Sequence, residues 1–221
     1  NFDFFNFPKF DKEHLNLKPL PPLDYHPIND SDDIFGTIRE KDHLIMYPYH
    51  SYESVVQFFE AAATDPDVTH IKIIQYRVAK ESRIMDSLIK ASRAGKNVTA
   101  FIEVKARFDE ERNLDWGETL EKAGVKVHYS FPGLKVHSKS ALVRRLENGE
   151  PTLYTYLSTG NFNEDTAKTY SDFGLFTSHM EISNEISRLF SILETVSLPG
   201  QKFNHLLVGQ FNLKSGLIEM V

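Results

Sequence analysis

The sequence predicts an α/β domain built on a mixed, mostly parallel sheet with helices on both faces. Two observations carry that prediction. From residue 43 to 130, short apolar runs alternate with helix-length amphipathic stretches, the rhythm of β-α-β units. From residue 136 onward, strand-like runs follow one another more directly, with "ENGE" between two of them as a hairpin turn. Apolar residues make up 41% of the 221, enough to bury the core of one large domain.

The elements follow in order. Residues 1–32 stand apart: "FDFFNFPKF" and "LKPLPPLDYHPINDSDD" are rich in aromatics and prolines and have no clean period, so they predict an extended arm lying on something. "HLIMY" (43–47) is a short buried strand. "SYESVVQFFEAAATD" (51–65) is an amphipathic helix with Ser51 as N-cap and Phe58 and Phe59 in the core. "THIKIIQYRVA" (69–79) is a strand, and "SRIMDSLIKASRAG" (82–95) a helix ended by Gly95. "NVTAFIEV" (97–104) is a strand, and "DEERNLDWGETLEKAG" (109–124) a helix with Asp109 as N-cap, ended by Gly124. "VKVHYS" (125–130), "VHSKSALVRRL" (136–146), "PTLYTYLSTG" (151–160) and "YSDFGLFTS" (170–178) are strands. "EISNEISRLFSILETV" (181–196) is a helix, and residues 203–221 start a further strand and helix.

Composition excludes several function classes. Acidic residues outnumber basic ones 31 to 25, a net charge of −6, so a broad nucleic-acid-binding face is not expected. An anionic ligand would need a focused basic pocket. There is no apolar run of roughly 18 residues to cross a membrane, and the first residues lack the marks of a signal peptide. Cysteine is absent, which removes disulfide and thiolate chemistry and fits the cytoplasm. P-loop, dinucleotide-binding, H-E-x-x-H and G-x-S-x-G patterns are all missing, and the nine histidines show no metal-ligand spacing.

What remains is a set of polar residues at strand ends. His137 and Lys139, two apart on a strand, would share one face. "STGNFN" (158–163) ends a strand with Thr159, Gly160 and Asn161 and leads towards a short helix. Tyr170 and Asp172 are again two apart on a strand. Arg77 and Arg107 follow strands at their carboxyl ends, where open α/β sheets bind ligands. Singly, each has an ordinary explanation: a half-exposed histidine, a surface ion pair, a common turn. Their convergence on strand ends is what singles them out. "DEER" (109–112) reads as a charged first helix turn and His128 as structural.

"GLKVHSK" followed by "TGNFN" resembles the H-x-K…N signature of the phospholipase D superfamily. That signature expects an aspartate at the position of Arg144, a departure that counts against a phosphodiesterase. "YPYHSYESV", "IKIIQYRVAKESRIMDSLIKASRAGKNVT", "KARFDEERNLDW", "LEKAGVKVHYSFPGLKVHSK" and "STGNFNEDTAKTYSDFGLFT" resemble the polyphosphate kinase family in its phospholipase D-like form, over residues 33 to 196. Ser158 departs from the glycine usual there.

The resemblance implies reversible transfer of the terminal phosphate of ATP to inorganic polyphosphate through a phosphohistidine on His137. It implies phosphate binding by Arg77 and Arg107, and nucleotide contact by Tyr170. Lys139 and Asn161 would neutralise and orient phosphoryl oxygens, and Asp172, from its position, would accept the other ring N–H of His137. Mg²⁺ would come with ATP and lie near Arg77 and Arg107 through phosphate, since a guanidinium is no Mg²⁺ ligand; no organic cofactor is implied. The implied partners are ATP or ADP, polyphosphate, the remainder of the same polypeptide and further copies of it, with no nucleic acid. On this reading residues 1–32 are an arm from a preceding domain, 33–198 the first phospholipase D-like half, and 199–221 the truncated start of a second half. That second half would supply another histidine and an arginine, so the chain alone is expected to be inactive. The implied location is cytoplasmic, with or without attachment to a membrane surface. Two alternatives stay open: a phospholipase D-like phosphodiesterase or nuclease, and a non-catalytic binding or oligomerisation module.

Overall fold

A computed structural model of the chain describes residues 20–106, 109–130, 133 and 135–221. The first 19 residues of the expected arm, and Arg107, lie outside the described residues. Among the described residues, seven strands form one open sheet: β1 (His43–Tyr47), β2 (Val68–Gln75), β3 (Asn97–Ile102), β4 (Lys126–Tyr129), β5 (Ser140–Glu147), β6 (Glu150–Ser158) and β7 (Asp172–Thr177). Their order is β1-β7-β6-β5-β2-β3-β4. The helices are α1 (His26–Asn29), α2 (Ile34–Glu40), α3 (Glu53–Thr64), α4 (Arg83–Arg93), α5 (Glu110–Lys122), α6 (Met180–Thr195) and α7 (Leu213–Glu219).

The sheet is mixed, as expected, but less parallel than the early β-α-β rhythm suggests. Only β2–β3 and β3–β4 are parallel neighbours. The β1–β7, β7–β6, β6–β5 and β5–β2 pairs are antiparallel. β5 and β7 run in reverse between strands that share one direction. This arrangement positions the site, because the carboxyl ends of β1, β2, β3, β4 and β6 and the amino ends of β5 and β7 all open on one edge.

Both faces are covered. Ile71, Ile73, Ala141, Val143, Tyr154, Tyr156 and Phe176 point to one face and pack with Phe35 of α2 and with Phe58 and Phe59 of α3. Ile74, Phe101 and Leu142 point to the other and meet Ile186, Phe190 and Leu193 of α6. The central strand β2 is covered on both faces, and its carboxyl end, Ile73, Ile74 and Gln75, is buried throughout. Burying each of these large side chains stabilises the fold by about 2 kcal/mol.

Local signals set the boundaries. Ser82 caps α4 by accepting from the Met85 N–H at 3.3 Å. The β5–β6 hairpin turns on Asn148 and Gly149, both with positive φ (54° and 85°), as a tight two-residue turn requires. Elsewhere the boundaries differ from expectation. α3 begins at Glu53 with Tyr52 at the cap position; Ser51 Oγ accepts from the Glu53 N–H at 3.2 Å instead. Asp109 occupies the cap position of α5 but makes no side-chain cap bond. Residues 203–212 form turns rather than a strand, held by Asn212, whose Nδ2 donates to the Phe203 and Leu206 carbonyls at 2.9 Å. The arm contains a helical turn, α1, and Leu23 bridges His50. The segment after "STGNFN" makes only a three-residue 3-10 turn, Thr166–Lys168.

Candidate active site

The ring of Tyr76, just past the end of β2, is the centre of the cluster. The His137 imidazole meets it edge-on, with centroids 4.7 Å apart at 72°. Among the described residues, three cations surround the same ring: Lys139 Nζ at 4.5 Å, Lys135 Nζ at 5.5 Å and Arg77 Cζ at 5.7 Å from the centroid. Lys139 Nζ also donates to the His137 carbonyl at 2.7 Å.

His137 and Lys139 precede β5, which starts at Ser140, so strand alternation is not what brings them together. Two buried polar residues shape the segments around them. Glu103, past the end of β3, accepts from Val136 N–H at 2.9 Å and Ser130 Oγ at 2.7 Å. Asn113 of α5 donates to the Tyr76 carbonyl at 2.8 Å and the Glu103 carbonyl at 2.9 Å. The ends of β2 and β3 and the approach to β5 are therefore tied to one another, satisfying backbone groups that would otherwise be buried unpaired.

Electrostatics follow from this packing. Burial, then the charges of Lys139, Lys135 and Arg77, push the His137 pKa below the ordinary histidine value. Lys139 is only 5% exposed; burial pushes its pKa down to about 8, with Asp172 opposing and Arg77 and Lys135 adding to the fall. The site thus presents an exposed, neutral imidazole ringed by cations, suited to an anionic electrophile.

Comparison with known proteins identifies this arrangement. Residues 33–199 match the family model for polyphosphate kinase C-terminal domain 1. The chain belongs to the polyphosphate kinase family. It is 46% identical to the polyphosphate kinase of Escherichia coli K12, covering 99% of this chain and 32% of that protein. With the Yersinia pestis polyphosphate kinase it shares 44% identity, covering 99% and 32%. The crystal structure of polyphosphate kinase from Porphyromonas gingivalis superposes with a TM-score of 0.80 at 42% identity, over 93% of this chain and 34% of that one. The chain therefore spans about a third of the length of the curated relatives it matches. Nuc from Salmonella typhimurium, a phospholipase D family member, shares the fold at TM-score 0.54 and 12% identity, over 73% of this chain and 99% of that one.

Within this polyphosphate kinase domain the expected residues divide. His137, Lys139 and Arg77 come together on Tyr76. Arg77 forms an ion pair with Asp109 at 3.3 Å, and Asp109 also binds Arg112 at 2.9 Å. The "DEER" turn, expected to carry no chemistry, thus touches a site residue. Asp172 does not reach the imidazole: its hydrogen bond is from Thr159 Oγ1, at 2.8 Å. It acts on Lys139 by charge instead. Gly160 is needed beside it, because a Cβ there would meet Asp172 Oδ2 at 2.5 Å. Asn161 sits at the same edge; its Oδ1 is buried with no hydrogen-bond partner among the described residues, and its carbonyl accepts from Tyr52 at 3.4 Å. Tyr170 precedes β7 rather than lying on it, and its ring is 61% exposed. Arg144 lies within β5, donating to Thr69 Oγ1 at 3.0 Å, away from the site edge.

Sequence reasoning missed Tyr76, Lys135, Glu103 and Asn113. Tyr76 and Lys135 adjoin Arg77 and His137 in "IIQYR" and "GLKVHSK". Glu103 was signalled by an acid closing the apolar run "VTAFIE", an unlikely place for a surface carboxylate. Nothing in the helical pattern marks Asn113.

Proposed function

We propose that His137 is the phosphoryl acceptor of a polyphosphate kinase, in reversible transfer of the terminal phosphate of ATP to inorganic polyphosphate. The observation that carries this is the neutral, exposed His137 imidazole set among Lys139, Lys135 and Arg77 on one aromatic ring.

In the forward direction an unprotonated imidazole nitrogen attacks the γ-phosphorus. An N–P bond forms as the P–O bond to the β-phosphate breaks, and ADP leaves with that electron pair. A terminal oxygen of polyphosphate then attacks the same phosphorus, the N–P bond breaks and the chain is one unit longer. Little else is required beyond position and charge, so a P-loop is dispensable. Lys139 and Arg77 offset charge on the transferring group, with Arg107 in the same role. Arg77 and Arg107 offer planar donor forks matched to phosphate. Asn161 orients phosphoryl oxygens beside Gly160, and the exposed Tyr170 ring is free to stack on adenine or bond the nucleotide. Asp172 restrains Lys139 rather than the imidazole.

Among the described residues no three His, Cys, Asp or Glu side chains gather into a metal-holding group. Mg²⁺ would come in with ATP, carried by its phosphates. The remainder of a longer polypeptide would complete the site, and further copies would assemble with it, in the cytoplasm. No helix among the described residues is long and apolar enough to cross a membrane.

Incubation of the full polypeptide that carries this sequence with γ-labelled ATP tests the reading. Acid-labile, base-stable label should appear and should vanish in His137→Ala; label that persists in that variant overturns it. The 221-residue chain alone should not sustain ATP-dependent polyphosphate synthesis. Cleavage of bis(p-nitrophenyl) phosphate, lost in His137→Ala, would favour the phosphodiesterase alternative, which Arg144 on β5 argues against.

A further inference from the structure

We propose that Tyr76 is the positioning residue of this site, its ring fixing both the His137 imidazole and the Lys139 ammonium. The consequence for rate rests on His137 being the phosphoryl acceptor; the geometry does not.

Tyr76 is buried, 6% exposed, and its ring packs against the His137 imidazole and the Lys139 ammonium at once. His137 packs against it at 72°, an edge-to-face arrangement that aligned quadrupoles favour. Among the described residues Lys139 Nζ, 4.5 Å from the centroid, is the nearest of three cations drawn to the ring. Lys135 and Arg77 stand farther off, at 5.5 and 5.7 Å. Like charges this close repel, and attraction to a desolvated aromatic face offsets part of that repulsion. The ring itself is held from behind, since the Tyr76 carbonyl accepts from Asn113 at 2.8 Å. Lys139 is tied on its other side to the His137 carbonyl at 2.7 Å. One ring thus sets the direction of the nucleophile and the position of the buried Lys139 ammonium.

Two variants separate ring from hydroxyl: Tyr76→Phe keeps the ring and Tyr76→Leu removes it. In the 221-residue chain, NMR should show Lys139 side-chain methylene protons shifted upfield by the ring. The shift should persist in Tyr76→Phe and disappear in Tyr76→Leu. In the full polypeptide, single-turnover formation of phosphohistidine should stay within about twofold in Tyr76→Phe. In Tyr76→Leu it should fall by about tenfold or more, with a smaller change in the KM for ATP, because orientation rather than nucleotide binding is lost. Absence of the upfield shift in the wild type overturns the proposal. So does a wild-type rate in Tyr76→Leu, or a Tyr76→Phe as slow as Tyr76→Leu. Should Tyr76→Leu fail to fold, the wild-type shift and the Tyr76→Phe rate decide. If His137→Ala still accepts label, the acceptor assignment fails while the NMR measurement still judges Tyr76.

Discussion

His137 faces solvent, yet its surroundings hold it neutral. Burial of part of the ring and the positive charges of Lys139, Lys135 and Arg77 all disfavour a further proton. A depressed pKa keeps the nucleophilic form populated at lower pH than a free histidine would allow, and activity should fall only as pH drops below the depressed value. Of those charges Lys139 lowers the pKa most, so Lys139→Met should raise the His137 titration midpoint towards the ordinary value. Imidazole NMR titration of the 221-residue chain measures this directly; an unchanged or lower midpoint would show that burial alone sets it. Gly160 makes a second point at this scale. Its Cβ position is taken by Asp172 Oδ2, so Gly160→Ala should push that carboxylate off Thr159 and away from Lys139. The expected results are a loss of about 1–2 kcal/mol of stability from the lost bond and strain and slower phosphohistidine formation. Thermal unfolding and γ-labelled ATP check the two effects; unaltered behaviour in both would show that Asp172 moves without consequence.

Among the elements, α5 has a role its amphipathic pattern does not announce. Asn113 reaches back from its first turns to the carbonyls at the ends of β2 and β3, locking Tyr76 and Glu103 in place. Asn113→Ala would strand two buried carbonyls, costing about 2–4 kcal/mol, offset in part by removing the unpaired Asn113 Oδ1. Urea unfolding should show this loss, and a change below about 0.5 kcal/mol would exclude the lock. Asn113 also marks how far the sequence was legible. Period and punctuation located every strand, and α3 to α6, because burial on a face leaves a regular trace: Ile71, Ile73 and Ile74 in β2, Phe58 and Phe59 in α3. Segment ends were overrun, at β2, β5 and β7, because side chains such as Asn113 and Glu103 take over backbone groups that a ladder would otherwise use. The short α2, whose Asp33 accepts from the Gly36 N–H at 2.9 Å, went unread because its cap signal sits inside a polar stretch. At the site, His137, Lys139 and Arg77 were legible from the family pattern. The Tyr76 ring that gathers them was not, since an aromatic in an apolar run looks like core. Asp172 accepts from Thr159 Oγ1 on the neighbouring strand end, a contact between strands that spacing along one strand does not report.

On the scale of the whole molecule, the reversed β5 and β7 bring every site segment to one sheet edge, while the opposite sheet face depends on α6. The chain beyond α6 returns to it through Glu185 and Arg188, the latter donating to Gln201 Oε1 at 3.2 Å and the Lys202 carbonyl at 2.9 Å. Glu185 accepts from the Asn204, His205 and Leu206 N–H groups at 2.6, 3.1 and 2.8 Å, and Arg188 lies 3.4 Å away. Burial alone would raise its pKa, but these backbone hydrogen bonds and Arg188 hold it below the usual glutamate value. A carboxylate whose folded pKa is depressed stabilises the fold above its unfolded value of about 4.3. That contribution is lost as pH falls through the depressed folded value. Residues 203–221 are therefore expected to detach in acid before the sheet unfolds, exposing Phe203 and the outer face of α6. Hydrogen exchange at Asn204, His205 and Leu206 should accelerate below about pH 4 while β2 and β5 stay protected. Glu185→Gln should show the same local opening at neutral pH, since a neutral amide is a weaker acceptor for three N–H groups. Exchange in residues 203–221 that tracks β2 at every pH would mean that the packing of Phe203, not the Glu185 clamp, holds the segment to α6.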